Sequence, residues 1–264
     1  PAADTANINA FIQREENESG MRYARLQRQA ISLALESGVM LLTGGPGTGK
    51  TTVVRALLHI FESMELRIAL AAPTGRAAKR LSESTSYEAK TIHRLLEYGG
   101  EEEGQVRFHR DESNLLEENV VIVDEASMVD NQLMSALLHA IKPGAHLIFI
   151  GDADQLPSVG AGNVLRDLID CGRFATVRLT EIFRQAQTSL IVTNAHAINR
   201  GEMPRLDGKD NDFFFLPRSE DAALVATVAQ LCAARLPKTY GEMAVSGTQV
   251  IAPSRRGEAG TEHL

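Results

Sequence analysis

Short apolar runs alternate along the chain with longer segments whose apolar residues recur at helical spacing. Continuous apolar runs bounded by turn residues are typical of strands that are buried on both faces. Amphipathic helices between such strands cover the two faces of a parallel sheet. The pattern therefore predicts an α/β fold with a parallel sheet and helices on both faces. The predicted strands are Val39–Thr43, Ile68–Ala72, Val120–Val123, Leu147–Ile150, Val177–Leu179 and Gln249–Ala252.

One of the predicted helices has both a start signal and a stop signal. Asp130 is suited to cap its amino end, because a short acceptor side chain can bind the free N–H groups of the first turn. Pro143 and Gly144 are expected to end the helix. Its buried face is predicted to contain Leu133, Met134, Leu137, Leu138 and Ile141.

Two segments depart from the alternation of strands and helices. Residues 97–118 are polar and contain a β-prone piece, Gln105–Phe108, which predicts an inserted hairpin or small subdomain. After Phe183, several glycines and prolines and a new apolar run, Phe213–Leu216, indicate a domain boundary within 185–205. The second domain is expected to be incomplete, since few residues follow. We therefore predict a helical lead-in over 1–20, a first domain over 21–96 and 119–185, the insertion over 97–118, and a linker with the start of a second domain over 186–264.

The composition is that of a folded protein, since 44% of the 264 residues are hydrophobic. No apolar run approaches the roughly 18–20 residues needed to span a bilayer, and the amino terminus lacks the basic and apolar regions of a signal peptide. Cys171 and Cys232 lie far apart, without a cysteine or histidine at metal-ligand spacing, and are expected to be ordinary thiols. These features predict a cytoplasmic location and no membrane partner.

The formal net charge of −7 argues against a protein that coats nucleic acid by bulk electrostatics. Basic residues nevertheless outnumber acidic ones between Thr51 and Arg94, whereas acidic residues gather at Glu97–Glu103 and Asp111–Glu118. A local basic groove and an ordinary solvated helix face explain this distribution equally well. Charge alone therefore leaves the partner open.

The segment Gly44–Thr51, GGPGTGKT, has the spacing of a phosphate-binding loop and follows the apolar run Met40–Thr43. Glycines let backbone N–H groups turn toward phosphate oxygens, and the helix that follows adds its positive amino end. Lys50 is expected to reach the β- and γ-phosphates, and the Thr51 hydroxyl to bind Mg²⁺. The predicted nucleotide-binding residues of this region are Gly45, Pro46, Gly47, Thr48, Gly49, Lys50, Thr51 and Thr52.

A carboxylate for the metal ion is expected at the carboxyl end of a neighbouring strand. The run Val120–Val123 is followed by Asp124 and Glu125. Asp124 is predicted to hold Mg²⁺, directly or through water, and Glu125 to orient or deprotonate the attacking water. Because a GTPase needs only the aspartate, the adjacent pair favours an ATPase that uses its own base.

Several strings in a fixed order resemble the RecD-like DNA helicases of superfamily one, over nearly the whole chain. The strings are LQRQAI (Leu26–Ile31), GGPGTGKTT (Gly44–Thr52), APTGRAAKRL (Ala72–Leu81), TIHRLL (Thr91–Leu96), VDEASMVD (Val123–Asp130), GDADQLPSVGAGNVL (Gly151–Leu165), LTEIFRQ (Leu179–Gln185) and VIAPSRRGEAGTEHL (Val250–Leu264). The resemblance implies a RecA-like P-loop NTPase domain with a hairpin insertion, followed by the start of a second RecA-like domain. It also implies ATP and Mg²⁺ as cofactors.

The resemblance implies roles for residues outside the phosphate-binding loop. Gln27 matches the glutamine that contacts adenine, with Gln29 as the competing candidate. Gln155 matches the glutamine that senses the γ-phosphate and couples it to the DNA groove. Arg184 matches the arginine that reaches the γ-phosphate from the side of the second domain, a task suited to a permanently charged, planar guanidinium. The expected catalytic residues are thus Lys50, Glu125, Gln155 and Arg184.

For single-stranded DNA, the resemblance implies contacts from the ends of several strands. The string APTGRAAKRL has the pattern of a strand end, a turn and a helix amino terminus, which suits a backbone phosphate. Lys79 and Arg80 on that helix are equally consistent with a solvated face. The insertion over 97–118 lies where these helicases carry a duplex-splitting hairpin, but its acidic run departs from the family pattern. The expected DNA-binding residues are Thr74, Gly75, Thr91, His93, Pro157 and Val159.

The resemblance implies an ATP-dependent motor that moves five-prime to three-prime on single-stranded DNA and at duplex junctions, in repair or recombination and alongside other subunits of such pathways. The family's later motifs do not occur up to Leu264, so this chain alone is expected to bind nucleotide but not to unwind DNA. Three alternatives stay open: an RNA-directed helicase of the same superfamily, an ATP-binding interaction module, and a helicase domain associated with a relaxase.

Overall fold

Parallel strands form the centre of the first of two compact units, which comprise Pro1–Arg205 and Leu206–Leu264. The computed structural model describes residues 5–102, 105–183, 187–207, 211–241 and 243–263. The strands are β1 (Val39–Gly44), β2 (Ile68–Ala72), β3 (Ala89–Thr91), β4 (Tyr98–Glu102), β5 (Gln105–Phe108), β6 (Val120–Val123), β7 (His146–Gly151) and β8 (Ala175–Leu179). One sheet has the order β3-β2-β6-β7-β1-β8, and β4 pairs with β5 in a separate hairpin.

Helices of the first unit cover both faces of the main sheet. They are α1 (Thr5–Ser19), α2 (Arg25–Glu36), α3 (Lys50–Ser63), α4 (Gly75–Thr85), α5 (Ile92–Leu95), α6 (Asn131–Ala140), α7 (Val164–Asp170) and α8 (Leu190–Asn199), with a 3-10 turn at Ala126–Met128. Among the described residues, no helix is both long and apolar enough to cross a membrane.

Every neighbouring pair of strands in the main sheet is parallel. Alternate side chains of a strand point to opposite faces. Met40 and Leu42 pack with residues of α1, α2 and α3, whereas Leu41 packs with residues of α5, α6 and α7. All four residues of β6 are buried, because helices cover both faces of the sheet there as well. The apolar runs that mark these strands in the sequence thus reflect cover on both faces.

The predicted α/β fold with a parallel sheet and a small hairpin is confirmed. The strands predicted at Ile68–Ala72 and Val120–Val123 have the observed bounds, and those near β1, β7 and β8 differ only at their ends. The sequence pattern did not predict β3. This edge strand is only three residues long and has the exposed Lys90 at its centre, so it lacks an apolar run.

The second unit is helical where it has regular structure. Its elements are α9 (Asp221–Gln230), a π-helical turn (Leu231–Arg235), α10 (Leu236–Tyr240) and α11 (Met243–Gly247). The predicted strand at Gln249–Ala252 is wrong, since this segment has no strand structure, and Val250 and Ile251 are 42% and 84% exposed. The described part of this unit contains no strand with which such a run could pair. The expected second RecA-like domain stays a prediction.

The predicted start of α6 is confirmed, because Asp130 accepts a hydrogen bond from the Leu133 N–H at 2.8 Å. The helix ends at Ala140, and Ile141 is extended. The predicted buried face is wrong at Leu138, which is 52% exposed. Leu137 lies near the middle of the face that Leu133, Met134 and Ala140 also bury. Leu138 is turned about 100° from Leu137 and so lies beyond the edge of that face.

The hairpin of β4 and β5 is antiparallel and lies within the insertion predicted over 97–118. Its base is fixed by an ion pair between Arg110 and Glu97 at 2.8 Å. At the same end, the rings of Tyr98 and Phe108 lie 6.1 Å apart, and His93 lies 5.8 Å from Phe108. The hairpin is therefore joined to the end of α5 by an aromatic cluster and an ion pair.

Two buried carboxylates attach α1 to the helices that follow it. Glu15 accepts a hydrogen bond from the Tyr23 hydroxyl at 3.2 Å and lies 3.0 Å from His59 Nδ1. Glu16 accepts from the Tyr23 N–H at 2.9 Å and from Arg28 at 2.8 Å. Burial raises the pKa of Tyr23 to about 12, so its hydroxyl stays protonated and can donate. These contacts hold the turn between α1 and α2.

Removal of the Asp130 carboxylate tests the cap of α6. We expect Asp130→Ala to lower the free energy of unfolding by about 1 kcal/mol, because the Leu133 N–H loses its acceptor. Gln132→Ala, at an exposed position of the same helix, is the control and should change it by less than about 0.5 kcal/mol. Chemical denaturation followed by circular dichroism measures both values, and equal effects would contradict the capping role.

Candidate functional site

Three loops meet at the carboxyl edge of the main sheet, after β1, β6 and β7. Strand β7 lies between β1 and β6 in the sheet. The expectation that the strand before Asp124 is adjacent to β1 is therefore wrong. The loop after β7, which contains Gln155, lies between the other two because loops at this edge follow the spatial order of the strands, not their order along the chain.

The phosphate-binding loop predicted from the sequence joins β1 to α3. Gly47 and Gly49 have φ values of +72° and +84°, which residues with a Cβ rarely adopt. Thr48 is buried, and its hydroxyl donates to the Gly45 carbonyl at 2.8 Å, across the loop. Helix α3 starts at Lys50, so its free N–H groups and its positive end face the loop. The backbone thus has the geometry that a phosphate group needs.

The Lys50 ammonium lies against this loop. Its Nζ donates to the carbonyl oxygens of Gly44 and Gly45, at 2.5 and 3.1 Å. A charged phosphate oxygen is a stronger acceptor for an ammonium group than a neutral carbonyl. Lys50 is therefore held beside the loop by two neutral carbonyl partners.

Asp124 and Glu125 begin the loop after β6. The Asp124 N–H donates to the Ala71 carbonyl at 2.9 Å and so continues the hydrogen bonding of the sheet. Glu125 has a φ of +53°, a left-handed conformation that is unfavourable for a residue with a Cβ. Its N–H donates to Asp124 Oδ1 at 2.9 Å. The strained backbone of Glu125 thus helps to orient the Asp124 carboxylate.

The electrostatic surroundings of Asp124 favour a cation. The pKa of Asp124 is raised to about 6, chiefly by burial and in smaller part by the Glu125 carboxylate. The Glu125 N–H, the Lys50 ammonium and the Arg80 guanidinium act in the opposite direction. A carboxylate that has lost part of its hydration gains more from a nearby metal ion than one in water does. Asp124 is therefore suited to bind a divalent cation.

A cavity of about 400 Å³ connects the loops after β1, β6 and β7. Magnesium in proteins is bound by a few hard oxygen ligands together with substrate phosphates. In the part of the chain that the structure describes, no group of three or more His, Cys, Asp or Glu side chains is arranged to hold a metal ion by itself. A hydroxyl and a carboxylate in this cavity fit a cation shared with phosphates. The lining includes Thr51, Asp124, Glu125, Gln155, Arg76 and Arg80.

Gln27 is the one of the two candidate glutamines that contacts the phosphate-binding loop. Its side chain is buried, Oε1 accepts from the Ala24 N–H at 3.0 Å, and Nε2 donates to the Gly49 carbonyl at 3.4 Å. Gln29 is exposed. The structure therefore favours Gln27 over Gln29 for a contact with a nucleotide base.

Phe183, which the sequence prediction did not include, lies beside the same part of the loop. Its N–H donates to the Gly47 carbonyl at 3.4 Å, and its ring is 39% exposed. A Cβ at Gly49 would lie 2.8 Å from this ring. Its place directly before Arg184 in the string LTEIFRQ is the signal that could have identified it. Arg184 itself lies outside the described residues.

Two residues predicted to bind DNA have a structural role at helix ends. Thr74 follows β2 and accepts from the Ala77 N–H at 3.2 Å, which caps α4. Thr91 ends β3 and accepts from the Arg94 N–H at 3.1 Å, which caps α5. Both threonines lie at the carboxyl edge of the sheet, the edge that carries the nucleotide residues. Their hydroxyls shape the local backbone there, whatever else binds to it.

The other predicted DNA-binding residues are accessible at the same edge. Val159 is fully exposed, and its neighbour Leu156, which was not predicted, is 87% exposed. Pro157 is exposed between them, and Gly75 is exposed at the start of α4. His93 is exposed but packs on the aromatic rings at the base of the hairpin. The loop after β7 therefore presents apolar side chains to solvent directly beyond Gln155.

Comparison with known sequences assigns the chain to a family. The sequence profile of a family described as an AAA domain matches residues 22–212. The chain belongs to this family. It is 38% identical over 266 residues to the ATP-dependent RecD2 DNA helicase of Deinococcus radiodurans, a match that covers 100% of this chain and 34% of that protein. It is 47% identical over 204 residues to the RecBCD enzyme subunit RecD of Mycobacterium tuberculosis, with 67% of this chain and 34% of that protein covered.

The predicted RecD-like identity is confirmed by these relatives, for the motor region that they share with this chain. The chain spans about a third of their length, 34% in both cases. Among solved structures, a Bacteroides Pif1 bound to single-stranded DNA matches with a TM-score of 0.50 and 19% identity, over 82% of this chain and 57% of that one. At this level of identity the likeness shows the RecA-like α/β fold alone.

Gly49 and Gly144 offer a matched test of the loop. Both have a φ of +84°, but a Cβ at Gly49 would lie 2.5 Å from Gln27 Nε2, whereas a Cβ at Gly144 meets nothing within 4 Å. Both alanine substitutions should cost about 1–2 kcal/mol of stability from backbone strain. Only Gly49→Ala should also weaken nucleotide binding, by about tenfold or ~1.4 kcal/mol. Titration with a fluorescent ATP analogue measures this, and equal affinities of the two variants would refute the assigned loop.

Proposed function

We propose that the chain binds ATP with Mg²⁺ and hydrolyses it as the nucleotide-binding part of a DNA helicase motor. One observation carries the proposal. Thr51 of the phosphate-binding loop, the carboxylates of Asp124 and Glu125, and the Gln155 amide line a single cavity. Together they supply ligands for a cation, a general base and a polar contact for the γ-phosphate. The membership of the family, in which one relative is named an ATP-dependent DNA helicase, supports the same function.

The nucleotide is proposed to bind along the loop after β1. Lys50 exchanges its carbonyl partners for oxygens of the β- and γ-phosphates, and the N–H groups of the loop and of the first turn of α3 bind the remaining oxygens. Gln27 is already hydrogen bonded at the Gly49 end of the loop and offers its amide to adenine. The exposed ring of Phe183, on the same side, provides a surface on which a base can stack.

For hydrolysis, Thr51 and Asp124 are proposed to hold Mg²⁺ together with phosphate oxygens. When bound, the cation neutralises charge that develops on the transferred phosphoryl group. Glu125 accepts a proton from the attacking water, and its left-handed backbone fixes the direction from which it does so. Arg184 is proposed to contact the γ-phosphate, as the family resemblance implies.

Single-stranded DNA is proposed to run along the carboxyl edge, over the amino end of α4 and the loop after β7. Binding through the sugar–phosphate backbone and by stacking is independent of sequence and sensitive to salt. Gln155 and the exposed Leu156 and Val159 belong to one loop, so a change at the γ-phosphate can be transmitted directly to the DNA path. We further propose that the motor moves from five-prime to three-prime. Its role is proposed to be cytoplasmic, in repair or recombination, with further subunits as partners. One relative is named as a subunit of the RecBCD enzyme.

Two substitutions separate binding from hydrolysis. Lys50→Ala should abolish both nucleotide binding and turnover, because the phosphates lose their ammonium partner. Glu125→Gln should keep nucleotide binding within about twofold but lower kcat by at least about 100-fold, the usual contribution of a general base. The control is Glu88→Gln, an exposed carboxylate at the amino end of β3, which should retain full activity.

These assays use the full-length protein and measure phosphate release and binding of a fluorescent ATP analogue. Retained turnover in Lys50→Ala would refute the assigned site. Equal kcat values for wild type and Glu125→Gln would refute the general base.

The choice of polymer is tested by stimulation of ATP turnover. We expect oligo(dT) to raise kcat several-fold more than oligo(U) of the same length, and this stimulation to fall as salt is raised, since phosphate contacts release counterions. Stronger stimulation by the RNA would instead establish the RNA-directed alternative. No stimulation by either polymer would favour an ATP-binding interaction module.

A further inference from the structure

Helix α8 follows the site residues along the chain and folds back onto the first unit. Ser189 caps its amino end by accepting the Val192 N–H at 3.2 Å. In the middle of the helix, the buried Asn194 exchanges two hydrogen bonds with the backbone of Arg205, at 2.9 and 2.8 Å. Leu190 is buried as well. These contacts fix the position of α8 within the first unit.

His196 of α8 contacts the outside of the phosphate-binding loop. Its Nε2 lies 3.1 Å from the Pro46 carbonyl, and since a carbonyl can only accept, the ring N–H donates. The same ring fills the space beside Gly45, where a Cβ would lie 2.5 Å from His196 Cε1. The His196 ring thus contacts the loop at both Gly45 and Pro46. No motif in the sequence marks this histidine.

Asn199, one turn further along α8, contacts the loop after β7. Its Nδ2 donates to Asp154 Oδ2 at 3.0 Å, and Asp154 also accepts from Arg178 at 2.7 Å. Burial alone would raise the pKa of Asp154, but the hydrogen bonds from Asn199 and Arg178 outweigh it and lower the pKa, so the carboxylate stays charged. Asp154 directly precedes Gln155. Residues three apart on a helix lie on one face, which lets His196 and Asn199 act together.

From these contacts we propose that His196 and Asn199 are positioning residues that tie the phosphate-binding loop and the Gln155 loop to α8. The inference rests on the proposed ATPase function. The two loops, His196 and Asn199 line one cavity of about 690 Å³. A shift of either loop on binding or loss of the γ-phosphate must therefore be matched by α8 or break a hydrogen bond to it.

The hydrogen bonds of His196 and Asn199 matter because of the place of α8 in the chain. The helix leads to Arg205, the last residue of the first unit, after which the second unit begins at Leu206. It is thus the covalent connection between the nucleotide site and the rest of the chain. Both contacts join polar groups of loops rather than apolar side chains of the core. Their loss should change how the loops respond to phosphate more than it changes stability.

The test compares His196→Ala with wild type in the full-length protein. We expect a fall in kcat of about tenfold, because the groups around the γ-phosphate lose their alignment. The preference for a non-hydrolysable ATP analogue over ADP should also fall about tenfold, while the affinity for ADP changes less than about twofold, since ADP lacks the group that both loops contact. Asn199→Ala should have the same signature, and the double variant should be no worse than the stronger single one.

Two further variants distinguish positioning from packing. His196→Gln keeps an N–H donor and should restore most of the preference for the ATP analogue. Ile191→Ala, at a half-exposed apolar position of the same helix, should leave both kcat and the preference unchanged. Melting temperatures of all variants are measured alongside. If His196→Ala only lowers the melting temperature, or if Ile191→Ala has equal kinetic effects, α8 has a structural role alone and the inference is refuted.

A steric test uses the other partner of the contact. Gly45 does not have a left-handed φ, and the three atoms nearest to a Cβ there all belong to the His196 ring. We expect Gly45→Ala to impair turnover and the double variant Gly45→Ala, His196→Ala to be no worse than His196→Ala. Additive losses would contradict the contact. Absence of nucleotide binding by the wild-type protein would refute the proposed function itself. If the wild type turns over ATP normally and His196→Ala has the same kcat and the same preference for the ATP analogue, only the role of α8 is refuted.

Discussion

Burial of both faces of the parallel sheet is the constraint on which the rest of the molecule depends. Strands β1, β6 and β7 contain apolar side chains over nearly their whole length because helices cover each face. Polar chemistry is then confined to the ends of strands, and in a parallel sheet the carboxyl ends share one edge. The constraint that makes the core also places Lys50, Asp124 and Gln155 at this one edge of the sheet.

The loops at this edge adopt conformations that cost free energy. Glycine relieves the cost at positions 47 and 49, but Glu125 has a left-handed backbone despite its Cβ, at a cost on the order of 1–2 kcal/mol. The rigid strands beneath provide enough stability to keep that conformation. Rigid strands and strained loops are thus parts of one arrangement, in which the sheet stabilises what the loops alone would not adopt.

Features with local signals could be predicted from the sequence, and features that depend on tertiary packing could not. Nearby residues are enough to identify three features: the strand Val120–Val123, the helix cap at Asp130 and the glycine-rich loop. The order of β6, β7 and β1 and the contact between His196 and Pro46 join segments far apart in the chain, and no local pattern encodes them. The strand predicted at Gln249–Ala252 failed for a related reason, since an apolar run becomes a strand only where another strand can pair with it.

The packing of α1 shows that the folded unit and the family profile start at different residues. The family profile starts at residue 22, but Ile8 and Ile12 are part of the hydrophobic core of the first unit. A fragment cut at the profile limit would uncover the apolar surfaces of α2 and α3 beneath α1 and would leave Arg28 without its buried carboxylate partner. Contiguous apolar surface of this kind promotes association. The unit that folds therefore starts earlier than the unit that defines the family, and a soluble fragment for expression should include α1.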